Sequence, residues 1–293
     1  MTFYKCDIGD SLTDANGAYG LTPADYRTYR LKQLIDAAYR TNILVRNFGV
    51  AGQTSAQILA RAYAQFTFKR VPDLISIYAG ANDPLLSTTV SGSATTTSIP
   101  LAAQSGFNAG DGMAAGASVI IGGQSRIIQS VSAGTITLTQ PLSAAPANGA
   151  TVTIDTRANI VAIVQLGKSA GCSRFIVHEM HMKNWSAGGD DLTSEDATYG
   201  PIRVQQRLAR ADLLAISGID LAYVDNLTAM RALINSGAEA LHSNCWATFA
   251  NNQHLNCIRM RGGTKKGGQD VLADTEFAAI QAKAAWVAAI RAA

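Results

Sequence analysis

Charge is scarce in this sequence. Of 293 residues only 15% are Asp, Glu, Lys or Arg, and 24 basic against 21 acidic residues leave a net charge of +3. No dense Lys/Arg block stands out, which argues against nucleic acid or an anionic membrane as partner. No apolar run is long enough to span a bilayer, so an integral membrane protein is not expected. No basic and apolar leader precedes the first apolar run. That leaves an intracellular protein, or a mature one that is secreted or carried on a virion. Cysteine and histidine are sparse too, at four each, and Cys6, Cys172, Cys245 and Cys257 form no CxxC pair. There is thus no metal-ligand pattern, nor a phosphate-cradling P-loop, and no cofactor is expected. Cys6 and Cys172 fall in or beside expected strands and read as buried small apolar residues. Cys245 and Cys257 flank an Asn- and His-rich loop, where a disulfide would need an oxidising compartment.

What the chain does have is apolar content, 47%, enough for a sizeable core. Residues 3–8 read as a strand. Thr22-Pro23-Ala24-Asp25 has the pattern of a helix start, with Thr as cap and Pro at the first helical position. That helix is expected to run to about Arg40 on an apolar stripe of Leu31, Leu34, Ile35 and Ala38. A strand at 43–48, a helix from about Ser55 and a strand at 73–79 follow. This alternation predicts a parallel sheet with crossover helices.

After Pro84 the texture changes. Residues 85–156 are rich in Ser, Thr, Gly and Ala, with short β-like runs at 118–121, 124–131, 135–139 and 150–154 between turn signals. The alternation resumes with a helix at 157–169 and a strand at 174–178. The β-rich segment therefore reads as a module inserted into an α/β domain made of 1–84 and 157–293. Beyond it, 201–216 reads as a helix, 220–224 as the last strand, 225–234 as helical, 235–269 as loop, and 270–292 as one final helix.

Three of the expected strands end in polar, glycine-bearing loops: Gly9-Asp10-Ser11-Leu12, Asn47-Phe48-Gly49-Val50-Ala51-Gly52-Gln53-Thr54, and Gly80-Ala81-Asn82-Asp83. In a parallel sheet neighbouring strand ends converge, so the three loops can line one pocket. In this order and spacing they resemble the blocks of the SGNH (GDSL-type) hydrolases. The resemblance covers 1–84 and 157–293 and leaves out the insertion. It implies a three-layer α/β/α flavodoxin-like fold and ester hydrolysis through an acyl-serine intermediate. It further implies Ser11 as nucleophile, with the oxyanion held by the Ser11 and Gly52 main-chain N–H groups and the Asn82 side-chain amide. The chemistry agrees: serine needs a base and preorganised donors, and an amide donates without ionising. Asp10 and Asp83 read as capping groups.

The base is the open part. His178 and His181 close the fourth strand on opposite faces, one toward the core and one toward the rim. The family's last block, Asp-x-x-His ahead of the final helix, is matched only loosely. Asn251 stands three residues before His254, and Glu239 three before His242. His254 is preferred because Leu255 and Asn256 follow it; His242 with Glu239 is the alternative. Asn251 can orient an imidazole but brings no charge, and a main-chain carbonyl can do the same. Trp185, after the fourth strand, either stacks on a sugar ring or anchors its loop.

The leading expectation is a serine esterase for short acyl esters, plausibly O-acetyl groups of a carbohydrate. The insertion resembles small β modules of glycan-active and phage-tail proteins. A lipase or thioesterase of the same fold is the first alternative. The second is a non-catalytic glycan-binding or structural protein on the same scaffold, with a homo-oligomer formed through the insertion.

Overall fold

Six consecutive buried residues, Tyr4–Gly9, form β1 although two of them are charged. A central strand has a helix layer on each side, so every second residue must find its own kind of partner. Tyr4, Cys6 and Ile8 join the apolar core beneath Ile58, Leu59, Ile160 and Ile163. Phe3 joins a second core with Leu31, Ile35, Ile280, Trp286 and Ile290 on the opposite side. The computed structural model describes residues 2–11, 13, 26–180, 192–229 and 268–293, of which 192–199 and 268 by backbone only.

Five parallel strands make the central sheet: β1, β2 (Leu44–Gly49), β3 (Leu74–Tyr78), β10 (Arg174–Glu179) and β11 (Asp220–Asp225). Their spatial order is β2-β1-β3-β10-β11. Counted along the sheet this is 2-1-3-4-5, the flavodoxin-like doubly wound order, with its ligand crevice at the β1/β3 switch point. Helices α2 (Ser55–Phe66), α3 (Thr156–Ser169) and α4 (Leu192–Leu214) cover one face. Helices α1 (Arg27–Tyr39), α5 (Gly268–Gln281) and α6 (Ala284–Arg291) cover the other. The expected three-layer α/β/α fold is borne out.

Between β3 and α3 lies a six-stranded antiparallel sheet in the order β4-β9-β6-β7-β8-β5. Its strands are β4 (Thr88–Thr89), β5 (Ser98–Pro100), β6 (Ser118–Ile121), β7 (Gln124–Ser132), β8 (Thr135–Leu138) and β9 (Thr151–Ile154). The four longer strands follow the sequence reading within a residue; β4 and β5 are too short to show alternation. The apolar side of this sheet, with Ile99, Val119, Ile128, Ile136 and Val152, merges into the α2/α3 core.

Three expectations are corrected. Helix α1 begins at Arg27, with Tyr26 extended at its N-cap; the expected start at Thr22-Pro23-Ala24-Asp25 lies outside the described residues. Its first N–H is satisfied by the Gln269 side-chain oxygen at 3.0 Å, a cap reaching in from α5 that no local pattern encodes. Helix α4 begins at Leu192 and carries Pro201 in its interior. Proline there removes one main-chain hydrogen bond, whereas the sequence reading placed it at a first turn. The final helix is two helices, broken at Ala282 and Lys283. Asp220 at the start of β11 accepts from Lys283 Nζ and Trp286 Nε1, each at 2.6 Å, and re-aims the chain. Helix α5 starts at Gly268, two residues before its expected start, and residues 235–267 of the expected loop lie outside the described residues.

Candidate active site

β1, β2 and β3 are direct neighbours, with Gly9 opposite Gly49 on one side and Tyr78 on the other. The three glycine-bearing loops therefore leave the same edge of the sheet together. Beyond Gly9 the chain turns at once, and the Thr13 N–H donates to the Asp10 carbonyl at 3.0 Å around Ser11. Ser11 is half-buried within this turn. Gly9 has no room for a side chain: a Cβ would stand 2.2 Å from Thr13 Oγ1 and 2.5 Å from the Tyr78 carbonyl oxygen.

The second loop turns through Gly52, whose φ of +77° lies in the left-handed region that side chains disfavour. Among the described residues no atom comes within 4 Å of the place a Cβ would take. Immediately afterwards Thr54 caps α2 in a capping box with Gln57. The Thr54 hydroxyl also donates to the Gly112 carbonyl at 2.5 Å, so the inserted segment touches this loop.

Asn82 ends the third loop, 8% exposed. Its amide donates one proton to the Gln53 carbonyl at 3.0 Å, and the NH2 group carries a second. Asp83 beside it is buried and accepts from the Ser55 N–H at 2.7 Å, the Ser55 hydroxyl at 2.6 Å and the Thr156 hydroxyl at 2.5 Å. Burial pushes its carboxyl up, and these donors offset only part of that rise. Asp83 therefore serves to fix the third loop against the starts of α2 and α3.

Two side chains lace the loops together. Asn47 donates to the Thr13 carbonyl and accepts from the Gly49 N–H at 2.8 Å. Arg61, on α2, donates to the Gly9 carbonyl at 2.9 Å, the Phe48 carbonyl at 2.7 Å and Gln53 Oε1 at 2.6 Å. Sequence reasoning passed over Arg61. Its one signal is that α2 carries no other charged residue.

His178 is the candidate that points away. It is 1% exposed, in the layer between the sheet and α1/α5. Its Nε2 lies 3.0 Å from Ser76 Oγ, 3.1 Å from Arg27 and 3.5 Å from Glu276. Burial, with Arg27 beside it, holds its pKa below the ordinary value, so the ring stays neutral at pH 7. Cys6 and Cys172 are buried free thiols, and burial pushes Cys172 up to about 11. His181, Trp185, Glu239, His242, Cys245, Asn251, His254 and Cys257 lie outside the described residues. Among the described residues no group of three or more His, Cys, Asp or Glu side chains is placed to hold a metal ion. Among the described residues no helix is long and apolar enough to cross a membrane.

Residues 8–109, which include Ser11, Gly52, Arg61 and Asn82, match the family model of the GDSL-like Lipase/Acylhydrolase. Over that stretch the chain is similar to the GDSL-like acylhydrolases. That match supports a carboxylic ester hydrolase. The fold of the chain is similar to that of Axe2, an acetylxylan esterase from Geobacillus stearothermophilus. That structure has a TM-score of 0.55 at 14% identity, over 94% of this chain and 93% of that one. A catalytic serine-to-alanine mutant of Axe2 gives 0.54 at 14% identity over 95% of both chains. A catalytic aspartate-to-alanine mutant of Axe2 gives 0.54 at 15% identity, again over 95% of both. No curated protein sequence matches the chain.

Proposed function

We propose that the chain is a serine esterase for short acyl esters, O-acetyl esters of carbohydrates above all, with Ser11 as nucleophile. The Ser11 hydroxyl attacks the ester carbonyl while a histidine takes its proton. The carbonyl oxygen becomes an oxyanion received by the Ser11 and Gly52 main-chain N–H groups and the Asn82 amide. Collapse expels the alcohol, which takes the proton from the histidine, and leaves acyl-Ser11. Water, deprotonated by the same histidine, then releases the acid and restores the serine.

The observation that carries this reading is the meeting of the three loops, with the Asn82 amide on the Gln53 carbonyl at 3.0 Å. His254, oriented by Asn251, is assigned as base, with His242 and Glu239 the alternative pair. Residues 1–84 and 157–293 form the catalytic unit in this reading, and 85–156 the inserted module. The acetyl preference rests on the small polar loops and on the fold shared with an acetylxylan esterase. Trp185 is assigned to sugar stacking.

A fluorophosphonate probe tests the nucleophile. Labelling of the parent that disappears in Ser11→Ala is expected; an unlabelled parent favours a non-catalytic scaffold. p-Nitrophenyl esters of rising chain length test the acyl group. A maximum at acetyl is expected, and a maximum at octanoyl or longer makes the protein a lipase or thioesterase. The base is tested by His254→Ala and His242→Ala on an acetyl ester: near-parent activity in His254→Ala overturns its assignment.

A further inference from the structure

Arg61 spends its whole guanidinium on the loops around Ser11. Nε meets Gln53 Oε1, NH1 the Phe48 carbonyl and NH2 the Gly9 carbonyl, at 2.6, 2.7 and 2.9 Å. Gly9 precedes Ser11 by two residues, and Phe48 precedes Gly52 by four. Gln53 holds Asn82 through its own carbonyl. The Gly9 carbonyl is shared, since it also accepts the Val50 N–H at 3.0 Å. One planar, rigid fork thus connects to the loops bearing all three proposed oxyanion donors. A lysine ammonium is a point donor on a flexible stem and cannot fix three acceptors in one plane.

From this geometry we propose that Arg61 is a positioning residue of the hydrolytic site. It sets the spacing of the Ser11, Gly52 and Asn82 donors without touching the substrate itself. Oxyanion donors act only at their correct distance, 2.7–3.1 Å from the developing charge, and small misplacements are costly. Mere anchoring of α2 would predict lost stability alone. Positioning predicts lost turnover with binding of the ester kept, because the donors bear on the transition state more than on the bound ester.

The inference rests on the proposed roles of Ser11, Gly52 and Asn82, so its test carries separate controls. Steady-state kinetics on p-nitrophenyl acetate are measured for the full chain and for Arg61→Met, Arg61→Lys, Asn82→Ala and the Arg61→Met/Asn82→Ala double variant. Arg61→Met is expected to lower kcat about 10²-fold with KM within about threefold. Arg61→Lys is expected to restore only part of that loss. In the double variant the losses should fall well short of their product, because both changes disable one donor set. A parent-like kcat in Arg61→Met overturns the proposal, as does a fully multiplicative double variant. If Arg61→Met does not fold, Gln53→Ala removes the same fork's side-chain acceptor. It should lower kcat about tenfold, and an unchanged kcat overturns the proposal. Parent activity in Ser11→Ala or Asn82→Ala would instead overturn the underlying site.

Discussion

Two glycines show how differently one residue type constrains the site. Gly9 is fixed by space: a methyl group there meets the Tyr78 carbonyl, a main-chain atom that cannot step aside. Gly9→Ala should cost about 3 kcal/mol in urea unfolding, at the upper end of overpacking effects. Gly52 is fixed by conformation, with φ at +77° and no atom of the described residues within 4 Å of a Cβ. Gly52→Ala should cost about 1 kcal/mol, the left-handed penalty, yet lower kcat more than it lowers stability. Comparing urea midpoints with turnover numbers for the two variants checks both statements. Ser11, Gly52 and Asn82 are legible in the sequence because each sits in a short run that ends a strand. Arg61 is not, because its three acceptors are main-chain and amide groups brought to it by the fold. Glycine, amide and hydroxyl motifs leave local traces; a side chain that reads carbonyls does not.

At the level of elements, charge is the surprise. Lys5 and Asp7 alternate with apolar residues, yet both are fully buried, because β1 lies at the centre of the sheet. Lys5 pairs with Asp7 at 2.6 Å, and their other partners come from far along the chain: Arg27 on α1 at 3.1 Å from Asp7, and Glu276 on α5 at 3.0 Å from Lys5, with Arg27 also bonded to Glu276. Burial pushes the Glu276 carboxyl up, but Arg27 and Lys5 outweigh it and hold the group well below the usual range. Glu276→Ala leaves two buried cations short of a partner and should cost about 3–5 kcal/mol in chemical denaturation. His178 faces the same set, with Arg27, Glu276, Ser76, Tyr78 and Asn226 around its ring. Its lowered pKa means that the fold prefers the neutral ring. That contribution is complete above the ordinary value of 6.5 and is lost as pH falls through the lowered folded-state value. Melting followed by circular dichroism should therefore show a lower Tm at pH 5.5 than at 7.5. In His178→Asn that difference should shrink; an undiminished difference would assign it to other groups. The start of α1 and the break between α5 and α6 were unreadable for the same reason, since Gln269 and Asp220 act from across the fold.

At the scale of the whole molecule, the β-strands between β3 and α3 were legible in the sequence, but their part in the core was not. They alternate visibly, whereas the merging of Ile99, Val119 and Val152 with the residues under α2 is a tertiary fact. A chain that joins Ser87 to Asp155 directly should be recovered poorly, or melt at least about 5 °C below the parent. Melting together with the parent would mark the segment as a detachable module. The pairing of β4 with β9 has a consequence for assembly of the chain. Thr88 lies opposite Val152, so the two ends of the insertion are stapled to each other. β3 and β10 sit side by side, with Ile75 opposite Phe175, although a hundred residues separate them. Each doubling of an open loop adds about 0.6 kcal/mol to the entropy of closing it. Once β4 and β9 have zipped, the β3–β10 crossover behaves in polymer terms as a short connection through α3. The segment thereby cancels most of its own contribution to the closure entropy of the sheet that it interrupts.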